Sequence, residues 1–228
     1  MNTPEQLSDT SCGFIALVGA PNAGKSTLLN SLVGTKVSIV THKAQTTRSQ
    51  VRGVVTQDQA QLVFIDTPGI FAPKRRLDRA MVQSAWGGAG DADIVGFLID
   101  AERGITPDLA DMLEGLANIS HPKILILNKI DTIKNEALLE LSKTLNEKLR
   151  FEATFMISAL KGYGVSDLMD WCIKHIPPGP WHFPEDHLTD LTMAITAAEI
   201  TREKLFLRVH DEIPYNCTVE TESFKIQK

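Results

Sequence analysis

Short apolar runs recur along this chain, and the stretches between them carry apolar residues at helical spacing. Phe14 to Val18, Val51 to Val55, Leu62 to Ile65, Ile94 to Ile99, Ile124 to Leu127 and Ala153 to Ile157 predict strands. Most are apolar at successive positions, as strands buried on both faces should be. Helices are predicted between them at 25–33, 107–117, 135–149 and 165–175. Alternating strand and helix implies a doubly wound α/β fold with a mostly parallel sheet. Such sheets bind ligands beyond the carboxyl ends of their strands. Residues directly after each strand are therefore the first candidates for chemistry.

The pattern breaks at Pro177-Pro178-Gly179-Pro180, because proline continues neither a helix nor a central strand. Beyond it, Leu191, Ala194, Ile195, Ala198, Leu205, Phe206 and Val209 keep helical spacing, with Thr189 or Asp190 as N-cap. Thr218 to Ile226 reads as a strand. One helix and one strand close a core poorly. The expected organisation is a flexible segment at 1–11, a first domain at 12–176, a linker at 177–188 and the truncated start of an α+β domain at 189–228.

Composition narrows the class. The chain has 228 residues, 43% hydrophobic and 22% charged, which suits a soluble globular protein with an ample core. A net charge of −5 argues against general electrostatic adhesion to nucleic acid or anionic membrane. The three cysteines, Cys12, Cys172 and Cys217, are odd in number and lack CxxC spacing. That pattern points to reduced thiols, not to a disulfide framework or zinc site. The start, MNTPEQLSDT, is polar and predicts no export or organelle signal. No apolar run approaches the about 20 residues of a membrane span.

Chemistry appears where the strands end. Gly19-Ala20-Pro21-Asn22-Ala23-Gly24-Lys25-Ser26 fits G-x-x-x-x-G-K-[ST], between a strand and a helix that continues with Thr27. Backbone N–H groups there converge on phosphate oxygens, and the helix N-terminus adds positive potential. Lys25 is the catalytic candidate, reaching the β- and γ-phosphates, and Ser26 the candidate Mg²⁺ ligand. Asp66-Thr67-Pro68-Gly69 closes the third strand. Its carboxylate stands where a P-loop enzyme needs a metal-organising acid, acting through water, and Gly69 leaves its N–H free to approach a γ-phosphate.

Asn128-Lys129-Ile130-Asp131 follows another strand. The Asp131 carboxylate can accept from guanine N1–H and the exocyclic amine, which adenine does not offer there. Asn128 can tie this loop to the P-loop, and the Lys129 stem can lie over the base. Ser158-Ala159-Leu160-Lys161 again follows a strand, and its small residues and N–H groups suit guanine O6. Together these loops predict a Mg²⁺-dependent GTPase cycling between GTP and GDP. An ATP-dependent kinase or ATPase is disfavoured by Asn128 to Asp131.

In this order and spacing, GAPNAGKS, DTPG, NKID and SAL look like the translation-factor class of GTPases. Lys43-Ala44-Gln45-Thr46-Thr47-Arg48 resembles the first switch loop of the Era family. Glu199-Ile200-Thr201-Arg202-Glu203-Lys204-Leu205, with Glu212-Ile213-Pro214-Tyr215 after it, resembles the Era linker and the start of its KH domain. The resemblance implies a cytoplasmic, monomeric GTPase acting in assembly of the small ribosomal subunit. It implies binding near the 3′ end of 16S rRNA and peripheral contact with the inner face of the plasma membrane. It also implies that Thr47, rather than Thr46, joins Ser26 on the metal in the GTP state, with residues 34 to 50 loosely ordered without GTP.

Some features pull the other way. No GxxG loop, the KH clamp on RNA backbone, occurs after residue 180. Residues 181–228 hold 5 Lys+Arg and 9 Asp+Glu, a balance of 5 − 9 = −4. RNA binding is therefore expected to be weak or absent in this chain. Gly87-Gly88-Ala89-Gly90 reads as a flexible hinge and Lys74-Arg75-Arg76 as a solvated face. Trp86, Trp171 and Trp181 read as packing residues. Position 70 is Ile70, where many small GTPases place a glutamine that orients water. That leaves a GTP-binding scaffold with negligible hydrolysis as the alternative function. Asn22 has two readings of equal weight: its side-chain oxygen ligates a monovalent cation beside the phosphates, or it only hydrogen-bonds the loop. The resemblance supports potassium as that cation.

Overall fold

In a computed structural model, the described residues are 10–41, 43, 46–73, 75–209 and 217–225. Ala44, Gln45, Lys74, Ile226, the tetrapeptide 212–215 and residues 1–9 of the expected flexible segment lie outside them.

All six predicted strands form: β1 (Ser11–Gly19), β2 (Val51–Gln57), β3 (Ala60–Asp66), β4 (Ile94–Asp100), β5 (Lys123–Asn128) and β6 (Ala153–Met156). They make one sheet in the order β2-β3-β1-β4-β5-β6. β2 pairs antiparallel with β3 and every other pair is parallel. β1 begins at Ser11, opposite Ala60, one residue before the expected domain start.

The successive apolar residues divide between two cores because strand side chains alternate in direction. Ile15, Leu17, Ile124 and Ile126 pack on one face with α1 (Lys25–Val33) and α5 (Val165–His175). Ala16, Val18, Leu125 and Leu127 pack on the other with α2 (Arg76–Gly90), α3 (Leu109–Ala117) and α4 (Asn135–Lys148). Helices on both faces leave one place for a ligand, the loops at the carboxyl edge.

α2 was not legible as a helix. The glycines read as a hinge instead form its last turns, and Gly88 packs so near the Gln50 amide that a Cβ would lie 2.8 Å away. Trp86 fills the space over Gly115, and Trp171 packs edge-on against Phe155. Arg75 and Arg76 are exposed, as expected of a solvated face.

The proline segment is pinned to the sheet. Pro177 accepts from Cys12 N–H (3.2 Å), and Gly179 N–H donates to Thr10 (3.0 Å). Gln61 Oε1 accepts from His182 and Phe183 N–H, each at 2.9 Å. Thr189 bridges to Gly53, and Asp190 pairs with Arg52 at 3.0 Å. Those ties remove both residues from capping. The cap of α6 (Met193–Arg208) is Thr192, whose hydroxyl accepts from Ile195 N–H at 3.3 Å.

Two other expectations for this region need correction. Residues 217–225 form no strand, because no described strand lies beside them; Thr221 instead donates to the Ala194 carbonyl (2.7 Å). The buried residues of α6 are Arg202, Glu203 and Phe206, while Ile195 is exposed. This helix packs on a polar loop, not on an apolar core. Among the described residues no helix is long and apolar enough to cross a membrane, and none of the three cysteines is in a disulfide.

Candidate active site

Six loops at the carboxyl edge enclose a cavity of about 480 Å³, within the usual range for small-molecule sites. Its wall takes Pro21, Asn22 and Gly24 to Thr27 from the P-loop, and Thr46, Thr47, Thr67 and Gly69 from beside β2 and β3. Asn128, Lys129, Asp131 and Ser158 to Leu160 line the other end. Of the expected residues, Gly19, Ala20, Ala23, Asp66 and Pro68 stand behind this surface.

Two glycines permit the close approach. Gly24 has φ 102, and a Cβ there would lie 2.2 Å from Asn128 Nδ2. Only glycine combines that backbone with that contact at low cost. A Cβ on Gly69 would lie 2.7–2.8 Å from Pro21, so the DTPG loop closes against the P-loop. Asn128 locks the other side: Nδ2 donates to the Ala23 carbonyl (2.8 Å), and Oδ1 accepts from Ala159 N–H (2.9 Å). One buried amide thus joins three loops.

Asp66 is fully buried, and its Oδ2 gathers three hydroxyls: Ser26 at 2.6 Å, Ser38 at 2.8 Å and Thr47 at 3.2 Å. Ser26 and Thr47 hydroxyls are 3.0 Å apart. Thr46 turns away, its hydroxyl engaged by Thr41 (2.6 Å) and the Lys43 carbonyl (2.9 Å). Asp66 Oδ1 is buried with no hydrogen-bond partner among the described residues. Two hydroxyls and a carboxylate with a spare oxygen are the hard donor set that suits Mg²⁺. Lys25 Nζ donates to the Gly19 and Ala20 carbonyls at 3.1 and 3.0 Å. Burial pushes its pKa down to about 8, against the pull of the Asp66 charge, and burial raises that of Asp66.

At the other end, hydrogen bonds from Ser158 and then Lys161 hold the Asp131 carboxyl below its usual range. Lys161 Nζ lies 3.2 Å away. The Asp131 carboxylate is therefore an anion and accepts only. Lys129, with φ 65, pairs its ammonium with Asp100 Oδ2 at 2.6 Å, which stretches its stem along the cavity wall. Ile70 is buried in the second core, with its N–H on the Gly19 carbonyl (3.0 Å). Its side chain packs in that core and is not part of the cavity wall.

Motif reading missed Ile39, Val40, Thr41, Arg103 and Thr132 in the wall, and Ser38 behind it. Arg103 was findable, since it follows β4 as the other loops follow their strands. Ser38 to Thr41 carry no local signature.

A mostly parallel sheet with this strand order, a P-loop after β1 and Asn128-Lys129-Ile130-Asp131 after β5 define a P-loop GTPase domain. A family model described as 50S ribosome-binding GTPase matches residues 14–129. GTPase Era of Mesorhizobium japonicum is 62% identical over 216 residues, 95% of this chain and 70% of that protein. GTPase Era of Sinorhizobium medicae is 59% identical over 219 residues, 96% of this chain and 71% of that one. Era in complex with MgGDPNP and nucleotides 1506–1542 of 16S ribosomal RNA superposes with TM-score 0.86 at 40% identity, covering 90% of this chain and 70% of that one. A variant of Aquifex aeolicus Era bound to GDP·AlF4⁻ gives 0.85, at the same identity and coverage. The chain belongs to the Era family of GTPases.

Proposed function

We propose that this chain hydrolyses GTP at the described cavity and carries the GTPase part of a protein that serves assembly of the small ribosomal subunit, with weak 16S rRNA binding of its own. The carrying observation is the placement of Ser26, Thr47 and Asp66 oxygens at one end of the cavity and the Asp131 carboxylate at the other. The P-loop N–H groups and Lys25 take the phosphates, and the carboxylate of Asp131 selects guanine. Ser26 and Thr47 would hold Mg²⁺ directly, with Asp66 supporting it through water. When bound, Mg²⁺ neutralises charge on the β- and γ-phosphate oxygens.

No side chain at position 70 can place the attacking water, so backbone groups or a partner must do so. Lowering of the barrier then rests mainly on charge stabilisation by Lys25 and the bound cations. The RNA complex of the 40% identical Era structure supports 16S rRNA as partner. Resemblance to that family supports a cytoplasmic monomer with peripheral membrane contact.

Single-turnover cleavage of GTP, with and without 16S rRNA and with Mg²⁺ removed by chelation, tests this reading. Cleavage that is Mg²⁺-dependent and little changed by RNA is expected of the 228-residue chain. Tight GTP binding with no cleavage in either case would favour the scaffold, for which the burial of Ile70 is the structural argument.

A further inference from the structure

The described residues between α1 and β2 are held from two sides. Asn30 of α1 holds the first: Oδ1 accepts from Val37 and Ser38 N–H at 2.9 Å each, and Nδ2 donates to the Ser38 carbonyl at 2.8 Å. α6 holds the second, from far along the chain. Glu203 is 3% exposed; Oε1 accepts from Val40 N–H (3.0 Å) and Oε2 from Lys36 Nζ (2.5 Å). Further on, Lys43 Nζ donates to the Val209 carbonyl. Arg48 lies over the buried Phe206 ring at 5.4 Å, and Arg202 is 5.3 Å from the same ring.

These contacts bracket the residues that matter for nucleotide. Ile39, Val40 and Thr41 line the cavity, and Thr47 reaches Ser26 and Asp66. Burial works against the Glu203 anion. Hydrogen bonds from Lys36 and Val40, with the charges of Lys36 and Lys204, outweigh it, and the carboxyl lies below its usual range.

We propose that Glu203 is a positioning residue for the nucleotide site: by anchoring Val40 and Lys36 it fixes the cavity-lining switch segment, so the C-terminal helix governs nucleotide retention. This rests on reading the cavity as a guanine-nucleotide site. Glu203 does not line the cavity and acts only through the loop. The Val40 N–H bond is the arm nearest the cavity, so its loss should matter more than loss of the Lys36 pair. Retention of GTP should depend on the anchor more than that of GDP, because γ-phosphate is the group that Thr47 accompanies.

The test is stopped-flow release of fluorescent mant-GDP and a non-hydrolysable mant-GTP analogue from the 228-residue chain. Glu203→Ala is expected to speed release of the GTP analogue roughly tenfold, the scale of a lost charge-assisted hydrogen bond, and release of GDP less. Glu203→Gln keeps an acceptor for Val40 and should change release less, as should Lys36→Ala. Leu207→Ala, on an exposed side chain of the same helix, should leave both rates unchanged. Folding of each variant is checked by its melting curve. A general loosening of the fold would speed release of both nucleotides equally, and that result would overturn the proposal. So would unchanged release from a folded Glu203→Ala, or equal rates for Glu203→Gln and Glu203→Ala. Failure of wild type to bind mant-GDP would instead overturn the nucleotide reading itself.

Discussion

The Asp131 carboxylate is held by Ser158 and Lys161 at the rim of the cavity. Guanine offers it two donors, so losing the anion should cost selectivity by orders of magnitude. Asp131→Asn should weaken GTP and favour xanthine nucleotide, whose C2 oxygen can accept from the new amide. Competition binding of GTP against XTP reads this directly; equal GTP affinity in wild type and variant would remove Asp131 from the site. Asn22 also stands in the wall, with φ 65 in the left-handed region that asparagine tolerates. If its oxygen ligates K⁺ beside the phosphates, replacing Na⁺ by K⁺ at constant ionic strength should raise turnover. Asn22→Ala should abolish that difference and Ile70→Ala should preserve it. Identical rates in the two salts would leave Asn22 as a turn residue only.

The switch loop shows how one element serves two residues differently. Thr46 and Thr47 are adjacent, yet Thr46 is spent on the loop itself while Thr47 faces Ser26 and Asp66. A threonine that reaches the metal only when γ-phosphate is present is what a switch requires. Thr47→Ala should therefore weaken a GTP analogue in Mg²⁺ while leaving GDP nearly unchanged, and Thr46→Ala should act mainly on stability of the loop. Calorimetric titration with both nucleotides separates the two. The reverse ranking would transfer the metal role to Thr46.

For the whole molecule, charge and coverage decide the expectation for RNA. The matched relatives are longer than the part that this chain covers. Residues 181–228 carry a balance of 5 − 9 = −4 and no GxxG, which leaves no phosphate-binding footprint there. The 228-residue chain should bind GTP normally but bind 16S rRNA poorly beside the full-length Mesorhizobium relative. Filter binding at matched salt measures it, and tight, sequence-selective binding by the shorter chain would place the RNA contact within the α/β domain.

The sequence by itself determined the sheet and its ligand-binding edge, because burial on both faces writes successive apolar residues into each strand. Phosphate and guanine chemistry also needs fixed residue types right after a strand, hence the legibility of GAPNAGKS, DTPG, NKID and SAL. Tertiary structure alone decided the rest. α2 stayed hidden because its glycines are poor helix formers, held helical by packing against Gln50 and Gly115. Thr192 became the cap because Thr189 and Asp190 were drawn to β2. The charged buried face of α6 has no periodic signature, since its partners Lys36 and Val40 lie more than 160 positions away in the chain. Local patterns record what a residue does to its own backbone and its own face. They carry nothing of a hydrogen bond whose other half is supplied by a distant loop.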